Sequence, residues 1–76
     1  MSATKKHALA LYNLLDGFCG MVSEQGWEGV DRYYNKPFDM FIKNLSLLSV
    51  LDKDLGDKLQ NYCVKIGIIE LNKENK

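Results

Sequence analysis

The sequence predicts an all-α fold, a small bundle of three main helices plus one short helix. Three observations carry this. Apolar residues recur at helical spacing in three separate stretches, Gly or Pro punctuates the gaps, and only Val64, Ile66 and Ile68 alternate as a strand would. The 76 residues are expected to form a single helical domain, 1–76, frayed at 1–3 and 72–76.

The first helix is expected over residues 4–24, where Ala8, Leu11, Tyr12, Leu15, Phe18, Cys19 and Val22 share one face. Thr4 or Ser2 can cap its start through a side-chain oxygen, and Gly26 can end it in a positive-φ conformation. Gly17 and Gly20 each cost about 1 kcal/mol relative to Ala inside a helix. Glycines kept at that cost suggest close helix contact. The short helix is expected over 27–34, with Trp27, Val30 and Tyr34 on one face.

Lys36 and Pro37 open the next helix, because Pro in a first turn has no N–H bond to lose. That helix is expected over 37–50, with Phe38, Phe41, Ile42, Leu45 and Leu48 as its main stripe. Asp52, Lys53 and Asp54 form the connection, with aspartate suited to capping a helix and to its positive end. The last helix is expected over 53–66 on Leu55, Leu59, Tyr62, Cys63 and Ile66, with Gly67 as its stop. Ile68, Ile69 and Leu71 follow it.

A net charge of zero, 26% charged residues and 46% apolar residues exclude an intrinsically disordered segment. Lys5 and Lys6 ahead of residues 8–15 imitate a signal peptide, but His7, Asn13 and Asp16 break the run and no small-residue cleavage pattern precedes Cys19. No apolar run reaches the ~20 residues that span a bilayer. The expectation is a cytoplasmic protein without membrane contact, in which Cys19 and Cys63 are buried hydrophobes. A bond between the two cysteines across the core is the alternative, since both fall on core-facing positions.

No residue constellation points to chemistry, and neither enzyme activity nor a cofactor is expected. Asp52, Asp54, Gly56 and Asp57 suggest a calcium loop, but counting from Asp52 puts Gly at the fifth position, Asp at the sixth and Cys63 at the twelfth, against the pattern. Capping explains the same aspartates. Cys19, Cys63 and His7 are too few for a structural zinc, so no metal site is expected. A Cys and His nucleophilic pair conflicts with cysteines on apolar stripes, where burial suppresses thiolate formation.

The alternative function is a small DNA-binding regulator of helix-turn-helix type, built from the second and third main helices. Such a recognition helix would present Asp52, Asp54 and Asp57 to phosphates, and a neutral chain lacks the counterion-release drive for nucleic-acid affinity. A protein partner is the stronger expectation.

Two helices carry more apolar surface than a small bundle uses. Ala10, Leu14, Gly17 and Met21 form a second stripe on the first helix, and Met40, Asn44, Leu47 and Leu51 do so on the second. Trp27, Tyr33, Tyr34, Phe38 and Phe41 add an aromatic cluster interleaved with Arg32 and Lys36. Either neighbouring helices cover these stripes and the cluster caps the bundle, or they form an interaction face. The expected function is a small non-catalytic protein-interaction module, an adaptor, inhibitor or assembly subunit, with self-association into a homo-oligomer favoured. Its expected contact residues are Ala10, Leu14, Gly17, Met21, Trp27, Arg32, Tyr33, Tyr34, Met40 and Leu47.

Overall fold

The computed structural model describes residues 3–69, and it is all-helical, with three helices and no strand among the described residues. They are α1 (Ala3–Val30), α2 (Pro37–Leu51) and α3 (Lys53–Lys65). The expectations at Ser2, Leu71 and the 72–76 tail lie outside the described residues.

α1 runs further than its apolar spacing indicates. Gly26 breaks it with φ 78 and ψ 165, a conformation that suits a residue without Cβ, but helical bonding resumes at once and continues to Val30. The expected short helix over 27–34 is therefore not an element of its own. A single turn follows the kink, and the chain then leaves it as the N–H groups of Tyr33 and Tyr34 both donate to the Val30 carbonyl. Val30 is fully buried, and Gly29 lets the turn fold back tightly, because a Cβ there would lie 2.6 Å from Cβ of Gln25.

α2 begins at Pro37 as expected, and Lys36 precedes it in the left-handed region at φ 49 without a side-chain cap. Asp52 alone joins α2 to α3. Its N–H donates to the Leu48 carbonyl at 2.8 Å, closing α2, while its Oδ1 accepts from the N–H of Leu55 at 3.2 Å, opening α3. α3 ends in a Schellman motif: Gly67 at φ 83 donates to the Val64 carbonyl, and Ile68 donates to the Cys63 carbonyl.

The three helices enclose one core of Ala8, Leu15, Phe18, Cys19, Val22, Val30, Phe41, Leu45, Leu48, Leu59 and Cys63. Most of the expected inward stripes are in it, but Tyr62 and Phe38 are 42% and 45% exposed. The aromatic cluster is divided: Phe41 is buried and Trp27 half-buried, while Tyr33, Tyr34 and Phe38 are exposed. Phe18 stacks on Phe41 at 5.9 Å, and Trp27 meets Phe18, Phe38 and Phe41 with ring centroids 5.1 to 6.1 Å apart. The Trp27 indole N–H donates to the Ile68 carbonyl at 2.8 Å, which ties the turn after Gly26 to the end of α3.

Lys5 of α1 pairs with the second carboxylate oxygen of Asp52. This bond, and then the N–H of Leu55, hold the Asp52 carboxyl below its ordinary value of 3.8. A carboxyl depressed in the fold stabilises it fully above the unfolded value, and that stability is lost as pH falls through the lowered one. Melting curves from pH 6 to pH 2 should therefore decline less steeply for Asp52→Asn, which keeps the capping oxygen and removes the titration. Equal slopes in the two proteins would exclude the ion pair as a source of acid sensitivity.

Candidate functional site

Among the described residues the second stripes of α1 and α2 are covered only in part, with Met21, Met40 and Leu51 half-buried against the core. Ala10 and Gly17 are exposed, Leu14 is 70% exposed, and Leu47 is 48% exposed. Close helix contact at Gly17 and Gly20 is not made within the fold: a Cβ at either position would meet nothing within 4 Å. Both glycines face outward, because the core takes the opposite arc of α1 through Leu15, Cys19 and Val22.

Between the two stripes runs a groove of about 450 Å³, lined by Leu14, Leu15, Gly17, Phe18, Met21, Tyr34 and Met40, with Asn13 and Asn44 as its polar members. Leu15 and Phe18, both buried, belong to the core beneath it. Met21 and Met40 are half-buried. Tyr34 is held in place by an edge-on contact with Phe18, centroids 5.4 Å apart, and Asn44 by its amide N–H bonding the Met40 carbonyl at 2.8 Å. No charged side chain lines the groove. Its chemistry is apolar and thioether, suited to accepting an aliphatic or aromatic side chain.

Five of the expected contact residues, Leu14, Gly17, Met21, Tyr34 and Met40, thus come together in one groove. Ala10 and Leu47 extend the same helix faces beyond it. Trp27 does not join them. It lines a separate, shallower hollow of about 420 Å³ with Glu28, Asp31, Lys36, Pro37, Phe38 and Asp39, and its ring is half-buried. Tyr33, 70% exposed, and Arg32 stand on the turn after Val30 and line neither hollow.

The cysteines meet inside the core, both fully buried and both free, with their sulfurs 3.3 Å apart. That is more than 1 Å beyond the ~2.05 Å of a disulfide. The S–H···S contact, in which either sulfur can donate, and burial push the Cys19 thiol up. Neither sulfur is accessible, so iodoacetamide at pH 8 should modify neither in the native protein and both after unfolding in urea. Rapid native alkylation, read by mass, would contradict this packing.

Among the described residues no group of three His, Cys, Asp or Glu side chains could hold a metal ion, and no helix is long and apolar enough to cross a membrane. Compared with protein-family models, with curated proteins and with solved structures, the chain matches none.

Proposed function

We propose that the chain is a non-catalytic protein-interaction module that docks a protein partner in the α1–α2 groove. One observation carries the proposal: Leu14, Gly17, Met21, Tyr34 and Met40 form an uncharged apolar groove that the other described residues leave open. Water-exposed apolar surface gains free energy when a partner covers it, at about 25 cal/mol per Å². Methionines adapt to the shape of what enters, and Tyr34 offers a fixed ring at the edge. The roles open to such a module are adaptor, inhibitor or assembly subunit, and we place it in the cytoplasm, on the cysteine usage.

The helix-turn-helix alternative has less support. α2 and α3 are consecutive but joined by Asp52 alone, shorter than the turn of such a pair, and the N-terminal end of α3 exposes Asp54 and Asp57 beside Asp52, which phosphates would repel.

Capture from the native host with the wild-type chain and with Leu14→Glu separates these roles. Leu14 is exposed, so the variant keeps the fold while placing a carboxylate in the groove. A protein retained by the wild type and lost from Leu14→Glu supports the proposal. Equal retention by both contradicts it, as does micromolar binding to mixed-sequence DNA that weakens steeply with salt.

A further inference from the structure

The stripe on α1 is built of alternating small and large residues. Ala10, Leu14, Gly17 and Met21 lie within roughly 60° of one another around the helix and span about 16 Å along it, all before the kink at Gly26. An identical helix matches this order when it runs antiparallel. An identical stripe running antiparallel, with its midpoint between Leu15 and Asp16, sets Leu14 of each copy level with Gly17 of the other and Ala10 level with Met21. Every level then pairs a large residue with a small one. A parallel arrangement sets Leu14 on Leu14 and leaves Gly17 facing Gly17.

The charges agree with the same arrangement. Lys6 and Glu24 are both exposed and lie at the same edge of the stripe, about 20° beyond Gly17. About the same midpoint, Lys6 of one copy comes within one residue of level with Glu24 of the other, and symmetry makes two such pairs. The parallel arrangement would oppose like charges instead.

We infer that the occupant of the groove is a second copy of this chain, docked α1 against α1 in antiparallel register about a twofold axis. The inference rests on the groove being a protein-docking surface. Leu14 of the other copy stands over Gly17 and enters the groove against Met21 and Met40, where a Cβ on Gly17 would obstruct it. An ordinary stable dimer buries about 800 Å² on each side. The α1 stripe is too narrow to supply that alone, and Met40 and Leu47 of α2 widen the face beside it.

Sedimentation of the full chain over a range of concentrations tests the inference with three proteins. The wild type should dimerise. Gly17→Leu should raise the dissociation constant about 100-fold, since the twofold axis repeats the clash with Leu14. A Cβ at this position meets nothing within 4 Å in the chain's own fold, so the variant's helicity should match the wild type's, while its melting temperature should lose the concentration dependence that dimerisation gives the wild type. Leu14→Ala/Gly17→Leu should recover the dimer, because the large and small positions are exchanged. A wild type monomeric up to millimolar concentration overturns the inference, as does a Gly17→Leu dimer of undiminished affinity or a double variant that stays monomeric. If the wild type is monomeric but Leu14→Glu still loses a captured foreign protein, only the occupant is wrong; if neither effect is seen, the groove is not a docking surface.

Discussion

Phe41→Ala should remove most of the protein's stability, about 3–5 kcal/mol. Phe41 is fully buried, stacked on Phe18 and edge-on to Trp27, so its loss opens a cavity that both rings line. Neither can readily move in to fill it. Trp27 is tied by its indole N–H to the Ile68 carbonyl, and Phe18 is held in α1 under Tyr34. A domain of this size has a total stability on the order of 4–11 kcal/mol, so the variant should be close to unfolding at 25 °C. Phe38→Ala, which trims a ring that is 45% exposed, should cost about 1 kcal/mol. Urea unfolding followed by circular dichroism checks both, and a larger loss at Phe38 than at Phe41 would place the centre of the core elsewhere.

Gly56→Val should be the second large loss, about 3 kcal/mol. Gly56 is buried where α3 crosses α2, and a Cβ there would lie 2.7 Å from Cα of Ser49 and collide with its hydroxyl as well. The Cα belongs to the backbone, so no change of rotamer relieves the contact and the two helices must separate. Removing a glycine from a helix interior ordinarily gains about 1 kcal/mol through backbone entropy. In protein dilute enough to be monomeric, that gain should appear at Gly17, where Gly17→Ala meets no neighbour within the chain's own fold, and be overridden at Gly56. Opposite signs for Gly17→Ala and Gly56→Val in the same unfolding experiment are the expected outcome, and a Gly56→Val protein as stable as the wild type would mean that α2 and α3 do not approach so closely.

These two glycines also show which parts of the fold were legible in the sequence. Punctuation by local chemistry reads directly: Gly26 takes its positive φ, Pro37 starts α2, Asp52 caps α3 and Gly67 stops it, each for a reason contained in a few neighbouring residues. Periodicity separates the two sides of α1, so Phe18 and Cys19 face the core while Leu14 and Gly17 do not. What a glycine faces is a matter of tertiary placement. The helical cost of Gly17 suggests a contact that the fold does not make, whereas the contact at Gly56 is made among aspartates whose local pattern resembles the start of a calcium loop. Its position offered a signal: Gly56, Leu59 and Cys63 follow at three and four residues, placing the glycine on the buried stripe of α3.

The aromatic residues were harder to place for the same reason. Trp27, Tyr33 and Tyr34 are close in sequence and similar in composition, yet the structure separates them. Trp27 finds its hydrogen-bond acceptor on Ile68, 41 residues away, while Tyr34 lies at the groove and Tyr33 points to solvent. No local pattern encodes that distribution. The helical turn after Gly26 is shorter than its apolar spacing indicates, since it reaches only Val30, whose carbonyl accepts from both Tyr33 and Tyr34 as the chain turns away.

Isotope-filtered nuclear Overhauser spectra on an equal mixture of labelled and unlabelled chain most directly test whether the α1 face is covered by protein in the register its side chains prescribe. Intermolecular contacts are expected between the Leu14 methyls and the Gly17 α-protons, and between the Met21 and Ala10 methyl groups, strengthening with concentration. Intermolecular contacts that join Leu14 to Leu14 without Gly17, or an α1 face with no intermolecular contact at millimolar concentration, would contradict that register.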